Sequence, residues 1–107
     1  MKALQFDNLQ IENQPVNIPL PDGISLTIKR EDRNHPFVSG NKLRKLKYNI
    51  AQAQKEGKNT LLTFGGAYSN HIAATAAAGH LVGLKTIGVI RGEELNDKIS
   101  VNSTLNF

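Results

Sequence analysis

The spacing of hydrophobic positions changes several times along this chain, and each change predicts a new element. Residues 24–28 (ISLTI) alternate apolar and polar side chains, which is the period of a half-buried strand. Residues 29–39 are polar and include Pro36, so we expect a loop there. From Asn41 onward the apolar side chains recur every three or four residues, as on one face of a helix: Leu43, Leu46, Ile50 and Ala53. Asn41 is the expected N-cap of this helix, and Gly57 is its expected stop.

The second half of the chain continues the alternation of strands and helices. Residues 60–64 (TLLTF) form a short apolar run of strand length, after which Gly65-Gly66 suits a tight turn better than further strand. Residues 70–81, rich in small side chains, predict a second helix. Residues 84–90 predict another strand, and residues 97–107 predict the start of a third helix. This order predicts an α/β fold in which helices pack against a parallel sheet.

The two ends of the chain carry weaker patterns. Three prolines oppose regular structure within residues 1–23: Pro15, Pro19 and Pro21. In the same segment Asp22-Gly23 favours a turn. Residues 97–107 contain no glycine or proline stop, so we expect the last helix to continue and the chain to be an N-terminal piece of a longer protein.

Composition narrows the class of protein. A chain of 107 residues fits one domain with a modest core, and its hydrophobic content is 39%. No apolar stretch approaches the roughly 18–20 residues that span a bilayer, and the N-terminus lacks the apolar region of a signal peptide. The absence of cysteine removes disulfides and thiolate metal sites, and it fits a cytoplasmic protein. We therefore expect no membrane partner.

Net charge adds only a mild bias. The formal charge of +4 favours an anionic ligand, such as a phosphorylated cofactor, or nucleic acid. Much of this charge is clustered at Lys42, Arg44, Lys45 and Lys47, and for the last three the usual interpretation is the solvated face of a helix. The chain has only two tyrosines and four phenylalanines and carries no RNA-binding signature. A basic nucleic-acid module is therefore a weak alternative.

Lys42 is the first candidate for chemistry. A lysine can form an imine when part of its population is neutral, and both burial and the positive end of a helix dipole disfavour the ammonium form. Lys42 directly follows the expected N-cap, so both effects are available to it. From spacing alone, an ordinary exposed lysine in a first helical turn is the more common interpretation.

A glycine-rich turn is the second candidate. Residues 65–71 (GGAYSNH) join a predicted strand to a predicted helix, and such a turn leaves unpaired N–H groups that can bind an anion. Ser69 or Asn70 can cap the helix, and a purely structural turn explains these residues equally well. His71 adjoins this candidate site, whereas His35 and His80 are expected to be structural or exposed. The histidine spacing predicts no metal site.

Together the two segments resemble a known family. The sequence GNKLRKL at residues 40–46, followed after a helix and a strand by GGAYSNH at residues 65–71, is similar to one group of pyridoxal phosphate enzymes. These are the 1-aminocyclopropane-1-carboxylate deaminases and D-cysteine desulfhydrases. Residues 29–32 (KRED) and residues 76–79 (AAAG) fit the same family pattern. The resemblance spans residues 24–107.

The resemblance implies a fold and a division into domains. The implied fold is a three-layer α/β arrangement with a parallel sheet, part of the tryptophan-synthase-beta-like fold type II. Residues 41–107 would belong to the smaller domain, which carries the cofactor lysine. Residues 1–40 would contain a strand that pairs with the larger domain.

The resemblance also implies roles for single residues. Lys42 would bind pyridoxal 5′-phosphate covalently and then move protons at the substrate carbon. Asn70 would hydrogen-bond the ring hydroxyl oxygen of the cofactor, and Ser69 would act at the reacting face. Backbone N–H groups of Ser69, Asn70 and His71 would hold the substrate carboxylate. That last role agrees with the anion site inferred from the turn itself.

The implied enzyme is a cytoplasmic, homodimeric deaminase or desulfhydrase, a lyase or hydrolase acting on a small amino acid. Another fold-type-II lyase remains an alternative, although cysteine synthase and threonine deaminase relatives usually carry a serine-glycine-asparagine loop. A catalytically silent interaction protein with the same fold is a third possibility. In this family the cradle for the cofactor phosphate lies far downstream, so we expect these 107 residues not to be active alone.

Overall fold

Two short sheets and two α-helices make up the part of the chain that the structure, a computed structural model, describes: residues 9–101, without the side chain of Leu95. The strands are β1 (Asn13–Pro15), β2 (Thr27–Lys29), β3 (Thr60–Gly66) and β4 (Lys85–Arg91). The α-helices are α1 (Asn41–Lys55) and α2 (Asn70–Val82). Glu31–Arg33 and Glu93–Val101 form 3-10 helices.

Strands β3 and β4 form the parallel sheet that the alternation predicts, with α2 as the connection between them. Their register runs from Thr60 opposite Lys85 to Gly66 opposite Arg91. The carboxyl ends of both strands therefore meet at one edge of the sheet, which is where ligands bind in open α/β folds. The predicted α/β class is confirmed.

The core lies where α2 contacts both the sheet and α1. Helix α1 contributes three buried apolar residues at the predicted spacing, Leu43, Leu46 and Ile50. Helix α2 contributes mainly alanines, because small side chains allow close approach on more than one side. At Gly79 an added Cβ would overlap the Thr86 methyl group and lie 3.2 Å from the Leu84 carbonyl oxygen. Helix α2 therefore lies almost directly on β4.

The other face of the β3–β4 sheet is apolar and exposed. Four side chains alternate outward on the two strands, with exposed fractions from 46% to 67%: Leu62, Phe64, Ile87 and Val89. We call these residues the outer face. The sheet and the helices on its inner side thus supply two layers of the predicted three-layer arrangement. Parallel sheets are normally covered on both faces, so the outer face resembles an interface rather than a finished surface.

The N-terminal strand differs from the prediction. Strand β2 starts at Thr27 rather than at residue 24, is fully exposed, and pairs antiparallel with β1 instead of joining the parallel sheet. Pro15, expected to prevent regular structure, ends β1 opposite Thr27. A proline is tolerated there because these strands form a two-stranded ribbon with free edges. The turn at Asp22-Gly23 is confirmed, with a φ of 80° at Gly23.

Three boundaries also differ from the prediction. Asn41 is the first residue of α1, and Gly40 is its N-cap. Gly65-Gly66 continues β3, because its backbone pairs with Ile90 and Arg91 and the turn follows at residues 67–68. The predicted helix 97–107 overlaps the end of the 3-10 helix Glu93–Val101, and its residues 102–107 lie outside the described part. The stop at Gly57 is confirmed, since α1 ends at Lys55 and Gly57 has a φ of 66°.

Candidate functional site

Lys42 lies in the first turn of α1 and is half-buried. The residue before the helix, Gly40, has a φ of 65° and a ψ of −143°, so the chain enters the helix through a conformation that favours glycine. Leu43 and Leu46 point into the core, which fixes the rotation of α1 about its axis. Arg44 and Lys45 are exposed, as expected of a solvated face.

The second segment is the turn from β3 into α2. The Ser69 N–H donates to the Gly66 carbonyl at 3.1 Å and closes the turn. Ser69 is the N-cap of α2, but its side chain makes no capping hydrogen bond. Its carbonyl accepts from Ala73 N–H at 3.5 Å, the first helical hydrogen bond. The N–H groups of residues 70–72 precede that bond and lie at the positive end of the helix, which suits an anion.

Gly65 brings this turn close to the helix. An added Cβ there would lie 2.7 Å from Cγ1 of Ile72 and 3.0 Å from Oγ of Ser69. A side chain at position 65 would therefore push the start of α2 away from β3. The prediction that Gly65 forms a tight turn is wrong, because Gly65 lies in β3 and its lack of a side chain allows close packing of strand and helix.

His71 connects the turn with both β3 and α1. Its Nε2 lies 2.9 Å from the Thr63 hydroxyl, and its carbonyl accepts from the Thr75 hydroxyl at 2.8 Å. Burial lowers the pKa of His71, and the positive charges of Lys42 and Lys45 lower it further. Helices α1 and α2 are in contact, and the start of α1 lies near enough to His71 for the charges of Lys42 and Lys45 to act on its ring.

An open cavity of about 590 Å³ lies at the carboxyl edge of the parallel sheet. Its lining combines the turn with the end of β4 and the residues after it: Gly66, Ala67, Tyr68, Ser69, Arg91, Gly92 and Glu94. Ser69 is the sequence-predicted residue in this lining, and Asn70 is the exposed first residue of α2 beside it. Lys42 and His71 are not part of the lining.

Sequence reasoning missed Arg91 and Glu94. Arg91 ends β4 opposite Gly66, so the parallel register carries it to the same edge as the turn. The sequence feature that could have identified Arg91 is its position as a charged residue at the end of an apolar strand, directly before Gly92.

Neither a candidate metal site nor a membrane-spanning helix is found among residues 9–101. These residues contain no group of three or more histidine, aspartate or glutamate side chains that could hold a metal ion. None of their helices is long and apolar enough to cross a membrane.

Comparison with known proteins adds independent findings. No protein-family model matches the chain. The chain is 41% identical over 80 residues to the bifunctional D-cysteine desulfhydrase/1-aminocyclopropane-1-carboxylate deaminase, mitochondrial, of Arabidopsis thaliana. It is also 41% identical over 68 residues to the D-cysteine desulfhydrase of Salmonella paratyphi B. These matches cover 74% and 64% of this chain.

A solved structure agrees with the sequence matches. The crystal structure of an ACC deaminase homologue superimposes on 92% of this chain with a TM-score of 0.70 and 32% identity. The match covers 32% of that structure, and the chain spans about a fifth of the curated relatives, 20% and 21% of their lengths. The resemblance and the fold inferred from the two motifs are therefore confirmed.

Proposed function

We propose, from the confirmed resemblance to the 1-aminocyclopropane-1-carboxylate deaminase/D-cysteine desulfhydrase family, that this chain carries the lysine and the carboxylate-binding turn of a pyridoxal phosphate-dependent enzyme. The whole protein would release ammonia or sulfide from a small amino acid. The observation that carries the proposal is the approach of the Lys42 side of α1 to the first turn of α2.

The residues present fit part of the cofactor's needs. Lys42 offers an amine for covalent attachment, from a half-buried position in the first turn of α1. The side chain of Asn70 would hold the ring hydroxyl of the cofactor. When bound, pyridoxal phosphate acts as an electron sink for the bonds at the substrate α-carbon.

The remaining roles belong to the turn. The backbone N–H groups of Asn70 and His71 would bind the substrate carboxylate, because they precede the first helical hydrogen bond and lie at the positive end of α2. The Ser69 N–H, which the family resemblance places with them, instead donates to the Gly66 carbonyl. The Ser69 hydroxyl makes no capping bond and lines the open cavity, so it can act on the substrate or on a proton in transfer. Lys42 would take and return protons once it is freed by the substrate.

The proposal also covers the domain organisation, oligomeric state and cellular compartment of the whole protein. We propose that residues 41–107 form part of the smaller domain and that residues 1–40 pair with the larger domain. The exposed outer face supports such a division, because it fits an interface. A homodimer in the cytoplasm is proposed for the whole protein. The Arabidopsis relative is named as mitochondrial, so cell fractionation is the measurement that decides the compartment.

The test uses the longest natural polypeptide that contains these residues, because the chain spans about a fifth of its curated relatives. The protein is loaded with pyridoxal phosphate, reduced with borohydride and digested, and the labelled lysine is identified by mass spectrometry. Ammonia and sulfide release are assayed with 1-aminocyclopropane-1-carboxylate and D-cysteine.

We expect the label on Lys42 and loss of turnover in Lys42→Ala. Lys45→Ala is the matched control, since Lys45 lies on the same helix and also faces His71. It should keep both label and activity. Label on Lys45 or Lys47 with none on Lys42 would refute the assignment. Label without turnover would favour the catalytically silent alternative.

A further inference from the structure

We propose that Asn34 is a positioning residue for Lys42, acting through Gly40 and together with Glu31. This inference rests on the proposed function, because it concerns how the cofactor lysine is held. Residues 31–40 lie in the loop before α1, which the sequence pattern shows only as polar. We call Glu31, Asn34 and Gly40 the entry clamp.

Asn34 holds both sides of the Gly40 peptide backbone. Its Oδ1 accepts from the Gly40 N–H at 3.1 Å, and its Nδ2 donates to the Gly40 carbonyl at 3.2 Å. The residue is only 7% exposed, one of two buried polar residues in the described part. A buried amide that satisfies a glycine on both sides fixes that glycine's orientation, because any rotation leaves buried polar atoms unpaired.

Glu31 joins the same cluster from the other end. Its carbonyl accepts from the Gly40 N–H at 2.9 Å, and its Oε2 accepts from Asn34 Nδ2 at 3.2 Å. The Glu31 carboxylate also accepts two hydrogen bonds from the Arg44 guanidinium, at 3.1 Å and 2.6 Å. The clamp therefore contacts the chain two residues before Lys42 and again two residues after it.

The Glu31–Arg44 and Asn34–Gly40 contacts differ in how much they contribute to stability. The Glu31–Arg44 pair is exposed on the arginine side, and exposed ion pairs contribute little. The Asn34–Gly40 contact is partly buried and its Asn34 side is buried, so its loss leaves polar groups unsatisfied. Gly40 also supplies the unusual dihedral angles at the helix entrance, so it has the freedom that Asn34 removes. Asn34 is thus the residue on which the direction of the first turn of α1 depends most.

The experiment compares Asn34→Ala and Asn34→Asp with the matched control Asn49→Ala, in the same natural polypeptide. Asn49 is an exposed asparagine on α1 that donates to the Lys45 carbonyl and has no contact with the clamp. Asn34→Asp keeps the acceptor for the Gly40 N–H but loses the donor and places a carboxylate beside Glu31. The first readout is the distribution of reduced cofactor among Lys42, Lys45 and Lys47.

The second readout needs no cofactor. Amide hydrogen exchange at Gly40 is measured by NMR, or by mass spectrometry of the peptide that covers the loop. In both Asn34 variants we expect the share of label on Lys42 to fall and that on Lys45 or Lys47 to rise. In Asn34→Ala the Glu31 carbonyl still accepts from the Gly40 N–H. We therefore expect Gly40 exchange to become about five- to tenfold faster through more frequent opening of the loop, because the Gly40 carbonyl has lost its Asn34 donor. Asn49→Ala should leave both readouts unchanged.

The outcomes separate this inference from the proposed function. Absence of Lys42 label in the unsubstituted protein overturns the proposed function. Label on Lys42 that keeps its share in both Asn34 variants, with unchanged Gly40 exchange, overturns the positioning role alone. Uniform loss of label from all lysines, in step with a lower melting temperature, assigns Asn34 to general stability and also overturns the positioning role.

Discussion

The imidazole Nε2 of His71 and the hydroxyl of Thr63 lie 2.9 Å apart and join the first turn of α2 to the middle of β3. The same ring is close enough to α1 for the charges of Lys42 and Lys45 to lower its pKa. His71 is thus a point where α2 contacts β3 and lies near α1.

The first prediction concerns pH. Since the pKa of His71 is lowered by folding, the unfolded chain binds more protons between the lowered pKa and the ordinary value of about 6.5. The neutral His71 ring therefore contributes to the free energy of unfolding above about pH 6.5, and this contribution is lost as the pH falls through the lowered pKa. We expect the melting temperature to fall between pH 7 and pH 5, and His71→Gln to flatten that fall. His80→Gln, an exposed change on the same helix, should not. An identical slope in His71→Gln and the unsubstituted protein would contradict the assignment.

The second prediction separates Ser69 from Asn70. In the longest natural polypeptide, Ser69→Ala should lower turnover more than cofactor affinity, because Ser69 lines the cavity and is proposed to act at the reacting face rather than to hold the cofactor. Asn70→Ala should alter the cofactor's absorbance and affinity, since it removes the proposed hydrogen bond to the ring hydroxyl of the cofactor. Loss of one hydrogen bond to a charged group costs about 1.5–3 kcal/mol, or about ten- to one-hundred-fold. Kinetics and spectral titration measure the two effects. Full activity and an unchanged spectrum in both variants would make the turn merely structural.

The third prediction tests the contact between α2 and β4. Gly79→Ala should destabilise the fold by about 1–3 kcal/mol, because the new methyl group overlaps Thr86 and crowds the Leu84 carbonyl. This cost exceeds the gain of about 0.5–1 kcal/mol that alanine brings to a helix interior. Gly66→Ala is the matched control, since an added Cβ there meets nothing within 4 Å. Urea unfolding gives both values, and a Gly79→Ala protein of unchanged stability would disprove the close contact.

The fourth prediction concerns the outer face. Leu62 and Ile87 lie opposite each other in the parallel register and are 60% and 53% exposed. We expect the isolated 107-residue chain to self-associate through this face, and Leu62→Thr with Ile87→Thr to reduce association without lowering the melting temperature. Tyr48→Thr changes an exposed hydrophobic side chain on α1, outside the outer face, and is the control. Sedimentation or light scattering measures the mass. Equal association in the double variant and the control would exclude the outer face as the cause.

Elements with strong periodicity were predictable from the sequence. The apolar spacing of Leu43, Leu46 and Ile50 locates α1 and its buried face, and the alanine-rich segment locates α2 almost to the residue. Both helices are long enough for their residue patterns to be distinguished from chance spacing. Lys42 and the turn before α2 could be singled out because their chemistry is local in sequence.

Features that depend on distant contacts were not predictable. Strand β1 has three exposed residues and no readable period. The alternation at residues 24–28 located β2 only in part, because this strand is short and exposed and is defined by its pairing with β1. Their pairing is supported by contacts such as Arg30 to Gln14 across the ribbon. Gly65-Gly66 was assigned to a turn because its strand conformation depends on pairing with β4. Asn34 carries no signal of its own, since its importance comes from a glycine six positions later.

The dihedral angles of Gly40 have a consequence for handedness. A φ of 65° with a ψ of −143° is the mirror image of the extended polyproline conformation that ordinary residues adopt readily. An added Cβ at this position meets nothing within 4 Å, so the obstacle to a side chain is its chirality and not its size. A D-alanine at position 40 would find its preferred backbone conformation already in place. The entrance to the helix that carries Lys42 is therefore one step in the backbone conformation of a D-residue within a chain of L-residues, and glycine is the genetically encoded residue that can take it without strain.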